Sequence, residues 1–89
     1  MKLHLVRLTK SQGQARFPGI EGFEARLFKE PVEVDKARLY LLLEGEAVID
    51  LPDQSYIHLR RNEAANLKGP HKLTPIDPSV IVVWEVDNR

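Results

Sequence analysis

The sequence predicts an all-β domain, and three observations carry that prediction. Short segments rich in branched and aromatic residues recur, from Phe23–Phe28 to Val80–Val86, at roughly 8–12-residue spacing. Turn-forming residues stand between them, at Gly22, Pro31, Gly45, Pro52 and Pro75. The stretch Ala37–Leu51 is apolar on both faces before Gly45 and alternates more cleanly after it, which suits two strands joined by a turn.

Taken in order, Leu3, Leu5 and Arg7 alternate with His4, Val6 and Leu8, so residues 3–8 are expected as a strand with both faces partly covered. Ser11–Gln14 reads as a polar loop, and Phe17–Gly22, with two glycines and a proline, as an irregular crossing. In Phe23–Glu30, Phe23, Ala25 and Leu27 alternate with Glu24, Arg26 and Phe28. Pro31 limits that strand because it has no N–H to donate. Val32–Asp35 is a short strand. Residues 36–44 admit two readings. Asp35 can cap a helix and Gly45 can end one, yet that helix would be apolar on nearly every side and flanked by strands. A strand is favoured, with Arg38, Tyr40 and Leu42 on one face and Leu39, Leu41 and Leu43 on the other.

Ala47–Leu51 returns along that strand, and Pro52–Gln54 makes a turn with proline preset at its second position. Tyr56, His58 and Arg60 then alternate with Ile57 and Leu59. Residues 61–66 are polar, enough for one helical turn at most. His71–Thr74 is a short strand closed by Pro75–Pro78, and Val80–Val86 is the most β-prone segment of the chain.

Eighty-nine residues make one domain, spanning 1–89. Thirteen basic and thirteen acidic residues cancel, so no global field draws in nucleic acid or an anionic membrane surface. No cysteine is present, which removes disulfides and thiolate metal sites. The first eight residues are too short and too charged for a signal peptide, and no run approaches the ~18 apolar residues of a membrane helix. A cytoplasmic protein is the expectation.

The residues Leu39–Val48, the turn at Pro52–Asp53, Leu59–Glu63, Gly69–Leu73 and the closing strand Val80–Val86 follow one another in a layout that resembles the cupins. The resemblance covers roughly two-thirds of the chain, in layout more than in motif residues, and implies a small cupin-like jelly-roll β-barrel. It also implies where a metal would sit: two histidines one residue apart and a glutamate in the first motif, and one histidine in the second. Counted back from Gly45, the glutamate position falls on Arg38. The histidine pair falls on Pro31 and Glu33, or on Val32 and Val34 with the shorter spacing. Only His71 matches, and the asparagine expected four residues later is Pro75. A permanent cation at Arg38 opposes a second cation, so no metal and no cofactor is expected.

Within such a barrel Arg38, Tyr40 and His71 converge where relatives keep their ligands. An arginine there needs an acidic partner or a bound anion, and Glu33 is the nearest candidate partner. One reading is a pocket for a small polar or anionic ligand, such as a carboxylate, phosphate or sugar, gripped by Arg38 with His71 hydrogen-bonding to it. The other places Arg38 at the mouth, paired with Glu33, with His71 capping an open end. His4, His58 and His71 fall on three separate segments with no short pair between them, so their spacing does not support a metal site.

Trp84 and Tyr40 offer rings that can stack on a sugar or base, but among apolar neighbours the favoured reading is core or subunit interface. Arg60, Arg61, Lys68 and Lys72 make a local basic patch that Glu63 dilutes, so nucleic-acid binding is not expected. No nucleophile motif or phosphate loop is present, and no residue is assigned as catalytic.

Three functions remain. The first is metal-free binding of a small ligand. The second is an isomerase, epimerase or lyase using His71 or Tyr40 as acid/base, which requires His71 within hydrogen-bond reach of another titratable group. The third is an interaction module whose interior is filled by residues such as Leu42 and Leu73, with no cavity. Leu39, Leu41, Leu43, Ile81 and Val83, read as an apolar outer face, lead to the expectation of a homodimer.

Overall fold

Helix α1 (Leu5–Gln12) opens the chain, where alternation had suggested a strand and then a loop. Leu5, Leu8 and Thr9 share one face of that helix, a 3.6-residue pattern that competes with alternation over the same residues. Its ends are fixed locally. The His4 ring accepts a hydrogen bond from the Arg7 N–H at 3.2 Å, and Gly13, with φ +86°, donates its N–H to the Thr9 carbonyl at 2.7 Å.

The structure is a computed structural model that describes residues 2–85. Among these residues the helix is followed by nine strands: β1 (Gln14–Ala15), β2 (Phe23–Phe28), β3 (Val32–Val34), β4 (Arg38–Glu44), β5 (Ala47–Asp50), β6 (Tyr56–Leu59), β7 (Ala64–Leu67), β8 (His71–Pro75) and β9 (Ser79–Glu85). Strand β7 replaces the polar turn expected over 61–66. The last expected strand reached to Val86, which lies outside the described residues.

The strands form two antiparallel sheets, ordered β1-β2-β9-β4-β7 and β3-β8-β5-β6. This corrects the expected jelly-roll barrel: neither sheet closes, and among the described residues no ladder joins one to the other. Closure needs a continuous hydrogen-bonded register around the ring. Two corners break it here. Pro31 separates β2 from β3. Between β6 and β7, Asn62 takes φ +68°, and the backbone of Asn62 and Glu63 bonds Leu42 of β4 instead of the facing sheet.

The expected pairing of faces along β4 holds. Tyr40 and Leu42 point between the sheets and pack with Phe28, Ile81 and Val83 of the first sheet and with Ala47, Ile49, Leu59 and Leu73 of the second. Burying each large side chain in this set contributes roughly 1.5–3 kcal/mol. Ile81 and Val83 therefore belong to the core, not to an outer face as the sequence had suggested. On the other side of the first sheet, Ala25, Val82 and Leu43 are covered by Leu5 and Leu8 of the helix. A helix of this chain thus accounts for part of the apolar surface that had called for a second subunit. Leu41 and Trp84, 36% and 48% exposed, remain uncovered.

Candidate functional site

Period-2 alternation on β4 and β8 brings the site together. Arg38 and Tyr40 project inward from β4, and His71 projects inward from the first position of β8. The Tyr40 hydroxyl lies 2.7 Å from His71 Nε2, with the rings edge to face at 5.4 Å between centroids. His71 Nδ1 is 2.7 Å from the Gly69 carbonyl, which can only accept, so in the neutral ring Nδ1 carries the proton. The Nε2 lone pair then faces Tyr40, whose hydroxyl donates to it. Burial pushes the Tyr40 phenol above its ordinary range, and the neighbouring Arg38 guanidinium opposes that rise.

Arg38 is buried and paired, but not with Glu33. Its Nη2 donates to Glu85 Oε1 at 2.9 Å, while Lys36 Nζ takes Glu85 Oε2 at 3.0 Å. The hydrogen bond from Lys36, then that from Arg38, holds the Glu85 carboxyl below the usual carboxylate range against the opposing effect of burial. The Nε and Nη1 of Arg38 have no partner among the described residues. Glu33 sits opposite Lys72 on the exposed face of β3. With Asp35, Asp50 and Lys72 it lines a cavity of about 390 Å³ that His71 borders from the inside.

A larger cavity, about 630 Å³, lies beneath residues 16–22. Val83, Glu85, Glu24 and Arg26 form its inner wall, and Phe17 and Phe23 flank it with ring centroids 5.7 Å apart. Glu24, only 8% exposed, takes Arg26 Nε on one oxygen at 2.9 Å and Arg16 Nη2 on the other at 2.6 Å. Sequence reasoning missed Glu24, Arg26 and Glu85. The signal was present: Glu24 and Arg26 share the parity of Phe28 on β2, and Glu85 shares that of Ile81 and Val83 on β9.

The residues present do not fit the metal site of the resemblance. Arg38 occupies the glutamate position as a cation already paired with Glu85, and both ring nitrogens of His71 are engaged. His4 caps the helix and His58 pairs with Glu46, each far in sequence and in role from His71. Among the described residues no three His, Asp or Glu side chains gather to hold a metal ion.

The discriminating geometry for acid/base chemistry is present, since Tyr40 stands within hydrogen-bond reach of His71. Both groups are nevertheless enclosed, Tyr40 at 0% exposure and His71 at 5%. Leu42 and Leu73 do fill the middle of the interior, as the third functional reading required, but a cavity remains between the first sheet and residues 16–22. Among the described residues no helix is long and apolar enough to cross a membrane.

No family model matches the sequence. No curated protein matches it either. Solved structures do. Protein NMB1881 from Neisseria meningitidis superposes with a TM-score of 0.75 at 14% identity, over 98% of this chain and 100% of that one. An RmlC-like cupin protein from Desulfovibrio desulfuricans superposes with a TM-score of 0.53 at 19% identity, over 81% of this chain and 79% of that one. At such identities the likeness is one of fold, and fold does not carry chemistry with it. The chain therefore has a cupin-like fold, as the resemblance in its sequence implied, built from two facing sheets that stay open.

Proposed function

We propose that this protein binds a small polar ligand, without a metal, in the cavity between residues 16–22 and the face of the first sheet that carries Glu24, Arg26, Val83 and Glu85. The observation that carries the reading is the 630 Å³ cavity whose wall holds a buried carboxylate, Glu24, paired with Arg26 and Arg16. Glu24 is less than a tenth exposed. Interior ion pairs are at best neutral for stability beside apolar packing, and a plain structural interior has no need of them. The cavity volume falls inside the ~300–1,000 Å³ range of small-molecule sites. Arg38 does not line the cavity but fixes Glu85, which does, while Tyr40 and His71 lie outside its lining.

A thermal-shift screen with small carboxylates, phosphates and polyols tests the reading. A stabilising compound whose effect disappears in Arg38→Met and in the exposed-site variant Arg16→Gln supports it. A blank screen, or hits indifferent to both replacements, overturns it.

A second reading is favoured by the Tyr40–His71 hydrogen bond alone: an isomerase, epimerase or lyase in which this pair moves a proton. It requires the fully buried Tyr40 to become reachable from solvent. Turnover abolished by Tyr40→Phe with ligand binding retained would establish it.

A homodimer is proposed through the uncovered part of the first sheet, where Trp84 and Leu39 stand side by side on adjacent strands, with Leu41 one row away. Sedimentation of the wild type against Leu41→Glu tests it. A monomer at every concentration excludes it.

A further inference from the structure

Glu85 and His71 stand in the walls of different cavities, Glu85 in the larger and His71 in the smaller. Arg38 and Tyr40 line neither, yet these two buried residues join the walls. Glu85 Oε1 holds Arg38 Nη2 at 2.9 Å, the Arg38 guanidinium adjoins the Tyr40 hydroxyl, and that hydroxyl lies 2.7 Å from His71 Nε2. Both charges act on the phenol, with opposite signs. The Arg38 cation favours its ionised form and the Glu85 carboxylate disfavours it.

Arg38 is the member of this chain with two arrangements open to it. Its Nη2 is on Glu85, while Nε and Nη1 have no partner among the described residues. The Tyr40 oxygen keeps lone pairs free while its hydrogen goes to His71. A guanidinium released by Glu85 finds an acceptor there, because buried donors left unpaired are costly. With Arg38 donating to its oxygen the phenol becomes the stronger donor, since hydrogen bonds in a chain polarise one another. The bond to Nε2 then tightens. A firmer grip of Glu85 on Arg38 has the reverse effect. His71 cannot absorb the change by turning over, because its Nδ1 is held by the Gly69 carbonyl at 2.7 Å.

We infer that the two cavities are coupled: a change of charge or contact at Glu85 in the larger one reaches His71 in the smaller one through Arg38 and Tyr40. Side chains carry the coupling, without movement of the strands, and it holds whichever ligand either cavity takes. It is reciprocal, so a compound that shifts this chain from one cavity alters affinity at the other by the factor it receives in return.

The imidazole nitrogen resonances of ¹⁵N-labelled, ligand-free protein at neutral pH test it. Glu85→Gln keeps the shape of a half-exposed side chain and removes its charge. It moves the His71 Nε2 resonance toward the value of a protonated nitrogen. Lys36→Met, at an exposed position, leaves Glu85 to Arg38 alone and moves the same resonance the other way. In a Tyr40→Phe background neither replacement moves it. Glu24→Gln, in the same cavity wall but paired with Arg26 and Arg16, leaves His71 where it was, and none of these variants moves His58, which is paired with Glu46. A His71 resonance indifferent to Glu85→Gln overturns the inference. So does one that moves the same way with Lys36→Met, follows Glu24→Gln equally, or responds as fully without the Tyr40 hydroxyl. The opposed signs of Glu85→Gln and Lys36→Met keep the test decisive if Tyr40→Phe does not fold.

Discussion

Replacing Tyr40 with phenylalanine removes one oxygen from the buried Tyr40–His71 pair and leaves the ring in place. The lost atom donates to His71 Nε2 at 2.7 Å, inside a shell where both residues are almost fully enclosed. The hydrogen bond itself is worth ~0.5–1.5 kcal/mol net, but a buried acceptor left without a donor costs ~1–3 kcal/mol. His71 cannot recover by turning over, because Nδ1 is held by the Gly69 carbonyl. Tyr40→Phe should therefore lower stability by about 2 kcal/mol in urea at neutral pH, with little change in the slope of the transition. For a domain of this size that corresponds to a fall in Tm of roughly 8–16 °C.

The double variant Tyr40→Phe/His71→Leu should be closer to the wild type than the sum of the single losses, with a coupling of about 1 kcal/mol or more. A Tyr40→Phe loss under ~0.5 kcal/mol, or strictly additive single variants, would refute the hydrogen bond as drawn.

The same residue has a pH signature. The folded phenol titrates above its ordinary 10.0 because burial opposes its charged form, so the unfolded chain loses that proton first. Stability from this group is complete below the ordinary value and falls as pH rises from there through the folded value. In a Tyr56→Phe background Tyr40 is the one tyrosine left, and its ultraviolet titration should have a midpoint above 10.0.

Glu85 gives the opposite sign. Its folded carboxyl titrates below its usual value, so its contribution is present at neutral pH and is lost as acid protonates it; Lys36→Met should flatten that acid limb of the stability curve. Gly45→Ala should cost ~2 kcal/mol or more, because Gly45 has φ +99° and an added Cβ would stand 2.8 Å from Ser79 Cα and 2.9 Å from the Pro78 carbonyl oxygen; denaturant melts check this. Thr9→Val should stabilise by about 1 kcal/mol, since the buried Thr9 hydroxyl has no partner among the described residues and valine keeps its shape; a loss of stability would mean that the hydroxyl is bonded.

Much of the fold was legible because side-chain alternation on a strand is rigid. The faces of β4 follow directly from Arg38, Tyr40 and Leu42 sharing parity, and that parity brought Arg38, Tyr40 and His71 to one place. What failed was the assignment of inside and outside for β9, where branched residues occupy both faces and periodicity carries no sign. Ile81 faces the second sheet while Val82 faces the helix, and nothing within Ser79–Glu85 distinguishes them.

The helix was hidden for a similar reason, since Leu5 and Leu8 satisfy two periods at once and only Gly13 marks the end of one of them. Nearness in sequence points to Glu33 as the partner of Arg38. The actual partner, Glu85, lies 47 residues away, brought there by the antiparallel register of β4 and β9. Closure of the sheets depends on corner geometry at Pro31 and Asn62, which residue patterns along single strands do not encode.

Mapping the binding of the best stabilising compound by amide chemical shifts tests the central claim most directly. The expected result is a set of shifts confined to residues 16–26, 83 and 85, with smaller ones reaching Arg38 and Tyr40. Shifts gathered instead at Glu33–Asp35, Asp50–Pro52 and Pro70–Lys72, around the smaller cavity, would contradict it and move the binding site to the other sheet.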